Sequence, residues 1–220
     1  MTDAALSPNR DTRPPGTPID MLVIHYTGMP TAEAALARLC DPDAKVSAHY
    51  LLHEDGTVVT LVPETERAWH AGVSYWRGNT DINARSIGIE LVNPGHEFGY
   101  RSFPEPQMAA LEALAQAILS RYAIPARNVV GHSDVAPDRK QDPGELFDWC
   151  RMAKTGIGIW PRPAAAAAST LPALLQRIGY DPDAGQAIAA FQRRFRPGRI
   201  DNRPDDETAA LAAGLLAGLR

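Results

Sequence analysis

Apolar residues fall in short blocks separated by turn formers, and the period within the blocks shifts between strand and helix spacing along the chain. IDMLVIHYT, from Ile19 to Thr27, has four contiguous apolar residues, ends at Gly28 and reads as a buried strand. Thr31 to Cys40 has the Ala/Leu composition of a short helix. In AHYLLHEDGTVVTLV the EDG sits between two apolar runs, which predicts a hairpin. SIGIELVN, from Ser86 to Asn93, is the next strand. From Pro106 to Tyr122, apolar residues at Met108, Leu111, Leu114, Ala115, Ile118 and Leu119 recur at helical spacing, so an amphipathic helix should cover one sheet face. NVVGHS follows as a strand, DVAPDRKQDPG as a polar loop, and Glu145 to about Lys154 as a helix that Gly156 would cap. Strands alternating with helices predict an α/β domain over residues 18–160.

The flanks have a different character. Residues 1–17 are polar and Pro-rich and are predicted to form a flexible arm. PRPAAAAAST, residues 161–170, has linker composition, with a short helix through its five alanines as the alternative. Residues 171–220 divide into three short helices at DPD and RPGRID, with Asp206 or Thr208 as the cap of the last. This small all-helical module has few apolar positions of its own, so it is expected to dock on the first domain.

Composition narrows the function classes. With 45% hydrophobic and 22% charged residues among 220, the chain has an ordinary globular profile. A net charge of −4 argues against nucleic acid or an anionic membrane as partner. No segment has the length of a membrane span. The first residues contain neither a signal-like apolar stretch nor a lipid-carrying cysteine. A cytoplasmic location is therefore expected, or a periplasmic one if more chain precedes Met1. Cys40 and Cys150 lack partners at metal-ligand or redox spacing and are expected to be buried thiols.

Among six histidines, His25 and His132 stand out because each closes a predicted strand, where α/β sheets collect their sites. Lys140 and Asp142 follow His132 in a Pro-bracketed loop that can turn back over the strand end. Two imidazoles and a carboxylate match a hydrolytic zinc site with one open position. From spacing alone, ordinary histidines satisfied by backbone hydrogen bonds fit equally well. Glu90 is an acid inside an apolar strand; a buried carboxylate suits a proton carrier, and an edge position facing solvent or an arginine is the alternative. Lys140 is one of three lysines against nineteen arginines, which hints at a compact point charge, with an exposed loop lysine as the alternative.

VIHYT, AWHAGVSYWRG, SIGIELVN and NVVGHSDVAPDRKQDPG, in that order, resemble the zinc-dependent N-acetylmuramoyl-L-alanine amidases of the AmpD/AmiD type, related to phage T7 lysozyme and the peptidoglycan recognition proteins. The likeness is nearest to the AmiD branch, because AFQRRFRP followed by DDETAA is similar to a helical peptidoglycan-binding module. The resemblance implies a central mixed sheet flanked by helices. It further implies zinc held by His25, His132 and Asp142, Glu90 as general base and acid, and Lys140 as oxyanion stabiliser. Trp69, His70, Trp76 and Arg77 would border the substrate groove. The substrate would be a muropeptide or peptidoglycan, cut between N-acetylmuramic acid, in its 1,6-anhydro form, and L-alanine by a monomeric enzyme of cell-wall recycling.

Three features depart from the family pattern. Asp81 stands where relatives carry an arginine for a stem-peptide carboxylate, the first residues given do not show the lipoprotein signal expected of the AmiD branch, and the terminal module lacks a DGxxG-like signature. Two rival readings remain: an exported lysin acting on sacculi, and a non-catalytic peptidoglycan-binding protein. The second would be expected to have lost a zinc ligand, and all three candidates are present.

Overall fold

A computed structural model describes residues 3–4 and 6–218. The first half of the chain runs β1 (Asp3–Ala4), β2 (Arg10–Thr12), β3 (Met21–Tyr26), α1 (Ala32–Cys40), β4 (Tyr50–Leu52), β5 (Val58–Thr60), β6 (Glu66–Ala68), α2 (Ile82–Arg85) and β7 (Ser86–Leu91). It continues through α3 (Gly95–Phe98), α4 (Glu105–Arg121), β8 (Val129–Gly131), α5 (His132–Val135), α6 (Trp149–Lys154), α7 (Leu171–Ile178), α8 (Ala187–Phe195) and α9 (Asp206–Ala217). Six strands form one sheet in the order β1-β5-β4-β7-β3-β8, and β2 pairs with β6 in an antiparallel ribbon. The sheet is mixed: β4, β7, β3 and β8 run parallel, while β5 returns antiparallel to β4 as the predicted hairpin.

Alternation along the central strands separates two faces. Leu22 and Ile24 of β3 and Ile87, Ile89 and Leu91 of β7 bury against Leu111 and Ile118 of α4 and Met152 of α6. On the other face, Met21 and Val23 enter a core shared with α7, α8 and α9, and Leu51 of β4 meets Leu39 of α1 in a second apolar patch. Between these patches the alternate positions Ser86, Gly88 and Glu90 of β7 line up beside His25 of β3. A polar stripe therefore crosses an otherwise apolar face, and it leads to the site.

Several predicted boundaries move for identifiable reasons. The segment expected to be a flexible arm is held against the domain from Ser7 onward: Ser7, Asn9 and Arg13 are buried. Arg13 explains why. Its Nη1 donates to Asn83 O and Ala84 O (3.1 and 2.7 Å), Nη2 to Ser86 O (2.8 Å) and Nε to Glu64 O (3.1 Å). Burial in this cage of carbonyls lowers its pKa to about 10. The expected linker is likewise laid against α9, since Ala164 N donates to Ala210 O (2.9 Å) and Ala168 N to Asp206 Oδ1 (2.8 Å). Gly214 of α9 permits that approach: a Cβ there would lie 1.8 Å from Arg162 O. Strand β8 stops at Gly131, so His132 opens a helix. The helix expected from Glu145 begins at Trp149, where the Asp148 side chain accepts from Arg151 N. Asp205, not Asp206 or Thr208, caps α9 by accepting from Thr208 N. Cys40 and Cys150 are half-buried thiols.

Arg13→Ala should lower the unfolding free energy by about 3 kcal/mol, because several buried carbonyls lose a charged donor at once. Urea denaturation monitored by tryptophan fluorescence measures this. A change near zero is what an unpacked arm would give.

Candidate active site

Parallel order brings the carboxyl ends of β7, β3 and β8 to one edge of the sheet. His25 lies at the end of β3, and His132 follows β8 directly. Asp142 returns through the loop beyond α5, where its carbonyl accepts from Ser133 N at 2.9 Å. His25 Nδ1 then lies 2.9 Å from His132 Nδ1 and 3.0 Å from Asp142 Oδ2, and the third edge of the triangle is 3.1 Å. All three residues are buried, and among the described residues they form the group able to hold a metal ion.

The hydrogen bonds behind the triangle decide where its protons sit. Ile82 O can only accept, so it takes the Ser86 hydroxyl proton (2.7 Å). Ser86 Oγ then accepts from His70 Nε2 (2.9 Å), and a neutral His70 is left with a bare Nδ1, which accepts from His25 Nε2 (3.0 Å). His132 Nε2 donates to Ala71 O (3.1 Å). With each ring neutral, as metal coordination requires, both histidines turn an Nδ1 lone pair inward toward a carboxylate oxygen. Three acceptors about 3 Å apart repel one another unless a cation lies among them, and neighbouring ligands of a tetrahedral zinc with ~2.0 Å bonds are separated by about 3.3 Å. The donor set fits zinc, and the outward bonds are the kind that orient metal-bound histidines.

Electrostatics give His25 the same state. Burial, reinforced by His132, lowers His25 to about 4, so it is neutral and free to coordinate. Burial also holds His70 well below its ordinary value. Desolvation pushes Asp142 upward, but His132 and His25 outweigh it and hold the carboxyl well below the usual range. Glu90 is shifted the other way. Burial and then the Asp142 charge raise it well above the ordinary carboxylate value, with Lys140 opposing. Its Oε2 is buried with no hydrogen-bond partner among the described residues, which marks it as a group available for proton transfer.

A cleft of about 410 Å³ opens over these groups, with Glu90, Lys140 and Asp142 in its walls. Tyr26 and His96 form part of the wall, Tyr26 OH lying 2.8 Å from His96 Nδ1, while His96 Nε2 reaches Glu145 Oε2 at 3.0 Å. Arg139 ties the loop bearing Lys140 to the segment after His70 through Ala71 O (3.2 Å) and Val73 O.

The segment expected to border the groove divides. His70 lines the cleft but acts mainly behind His25. Trp69 is not among the cleft residues, and its backbone N–H donates to Ser47 Oγ (2.9 Å). Trp76 and Arg77 are also elsewhere. Trp76 is buried edge-on to Tyr180 with ring centres 5.2 Å apart, and Arg77 Nη1 donates to Ile178 O (2.8 Å). Their apolar and hydrogen-bonding partners are in the C-terminal helices, which no local motif could reveal. Ser86 and Gly88 escaped the sequence reading, although S-x-G-x-E places both on the face of Glu90. A Cβ at Gly88 would lie 2.5 Å from His70 Cγ, so this glycine makes room for the imidazole.

Comparison with known proteins gives the family. The family model for N-acetylmuramoyl-L-alanine amidase matches residues 15–145. The chain is 42% identical over 230 residues to N-acetylmuramoyl-L-alanine amidase AmiD of Escherichia coli, covering 90% of this chain and 82% of that protein. It is 38% identical to the 1,6-anhydro-N-acetylmuramyl-L-alanine amidase AmpD of the same organism, over 66% of this chain and 87% of that one. The solved complex of E. coli AmiD with anhydro-N-acetylmuramic acid-L-Ala-D-γ-Glu-L-Lys superposes with a TM-score of 0.83 at 40% identity, covering 94% of this chain and 93% of that one.

His70→Phe keeps a ring against Gly88 but removes the acceptor for His25 Nε2. It should weaken zinc binding by about 10- to 100-fold, read by competition with a chromogenic chelator. Unchanged affinity would contradict the proton assignment.

Proposed function

The chain belongs to the N-acetylmuramoyl-L-alanine amidase family, and we propose that it acts as a monomeric zinc enzyme of cell-wall recycling on soluble muropeptides. The bond cut joins the lactyl carbonyl of N-acetylmuramic acid, in its 1,6-anhydro form, to the nitrogen of L-alanine. The observation that carries the assignment of roles is the pairing of His25 with Glu90 across β3 and β7, which sets an orphaned carboxylate oxygen beside a three-ligand triangle.

His25 Nδ1, His132 Nδ1 and Asp142 Oδ2 would hold the ion. Zinc bound there supplies Lewis-acid chemistry, easing deprotonation of a water and polarising the scissile carbonyl. Glu90 Oε2 takes the proton from the attacking water and later delivers it to the alanine nitrogen as the C–N bond breaks. A carboxyl whose pKa is raised by burial suits both halves of that transfer. Lys140, in the cleft wall, presents its ammonium to the carbonyl oxygen as negative charge develops there. His70 and Ser86 keep His25 in the tautomer whose Nδ1 faces the ion.

A soluble substrate is supported by the relatives that bear anhydro-muramyl names. The described residues contain no helix long and apolar enough to cross a membrane. A cytoplasmic setting goes with that substrate, and cell fractionation tests it. Full-length protein should cleave soluble anhydromuropeptide faster than purified sacculi. Preference for sacculi would support the exported lysin instead.

Chelation with 1,10-phenanthroline should abolish turnover, and equimolar zinc should restore it. Glu90→Gln should retain zinc yet lose at least about a hundredfold in kcat. Because Glu90 must be ionised to accept the first proton, the wild-type rate should rise with pH along an acid limb set above the ordinary glutamate range, and the variant's residual rate should lack that limb. Near-normal turnover in Glu90→Gln would remove it from the proton path.

A further inference from the structure

We propose that the C-terminal helices are part of the metal site's support, with Arg194 and Tyr180 acting as positioning residues that hold the turn bearing His132. The proposal rests on the reading of His25, His132 and Asp142 as a zinc site.

His132 opens α5, a helix of four residues closed by Ala136 N donating to His132 O at 2.9 Å. So short a helix does not hold its own shape, since nucleation fixes several torsions for one hydrogen bond. Its conformation is held from outside. The Asp134 side chain folds back within the turn, and its Oδ2 accepts from Gly131 N at 2.8 Å, fixing the residue just before His132. That carboxylate is 1% exposed, so it needs partners.

The partners come from 46 and 60 residues further along the chain. Arg194 of α8 donates from Nη1 to Asp134 Oδ2 (2.6 Å) and from Nη2 to Val129 O (2.9 Å), and its guanidinium lies 3.9 Å over the Trp149 ring. Tyr180, between α7 and α8, donates its hydroxyl to Asp134 Oδ1. A second tie lies further along the same segment, where Asp138 Oδ1 accepts from Gln186 N (2.7 Å) and Oδ2 from Gly185 N (3.3 Å). The stretch that carries His132, Lys140 and Asp142 is thus pinned at Asp134 and Asp138 to α8 and to the connection between α7 and α8.

Without the Arg194 guanidinium, the Asp134 carboxylate would have to turn toward water. Gly131 N would lose its acceptor, and the turn that aims His132 Nδ1 would loosen. The expected loss is therefore in metal affinity, beyond any loss in overall stability.

The test uses the full chain. Arg194→Met keeps the aliphatic stem and removes the charge and donors; Tyr180→Phe removes a hydroxyl alone. Leu215→Ala in α9, buried in the same apolar core, serves as the comparison for general destabilisation. Zinc dissociation constants come from chelator competition, and the thermal midpoint of each metal-free protein is measured alongside. Arg194→Met should weaken zinc about tenfold or more and Tyr180→Phe by a smaller factor, while Leu215→Ala lowers the midpoint and leaves the zinc constant within about twofold. The visible spectrum of the cobalt-substituted Arg194→Met protein should also differ from wild type, reporting altered ligand geometry. If neither Arg194→Met nor Tyr180→Phe weakens zinc more than Leu215→Ala, the proposal is overturned. A wild-type chain that binds no zinc would instead overturn the zinc reading beneath it.

Discussion

A slip of one residue between β3 and β7 would set His25 beside Ile89 in place of Glu90 and turn an acid into the apolar core against α4. Parallel pairing makes that register costly to change, because Ile87, Ile89 and Leu91 would all leave the face they fill. The chemistry of the cleft is thus fixed by aliphatic side chains on the far side of the sheet. The same alternation that buries them delivers Ser86, Gly88 and Glu90 to one line on the near side, where the histidines lie.

That near face is unusual in carrying a buried polar stripe between two apolar patches. Its tolerance depends on completeness. From Ile82 O through Ser86 and His70 to His25, each hydrogen bond leaves the next atom in the state its neighbour requires, and the run ends in a lone pair. Low local dielectric strengthens a satisfied chain of this kind and penalises a broken one. Glu90 Oε2 is the exception, and an unsatisfied oxygen at the cleft is where reactivity should be sought.

Much of this was legible in the sequence, and the failures share a cause. Strands β3 and β7 and helix α4 announce themselves because their apolar period is complete within one segment. His25, His132 and Asp142 could be named together because two end predicted strands and the third lies in a loop able to return. Arg13 could not be recognised, since its partners are backbone carbonyls that no side-chain pattern encodes. Trp76 and Arg77, expected at the groove from the resemblance alone, have their partners in α7 and the turn after it, which neighbouring sequence does not show. Asp134 lies two residues after His132 and gives no sign in sequence that its counter-ion is Arg194.

The stretch preceding α7, alanine-rich and linker-like, is pressed onto α9 so closely that Gly214 has no room for a methyl group. A compliant tether lets a docking module sweep a volume and raises the local concentration of whatever it captures around the catalytic domain. A bound connection allows neither. Any ligand of the C-terminal helices would sit at one fixed bearing and distance from the cleft, so a long glycan could engage both only if its own repeat matched that offset, as a ruler matches two marks.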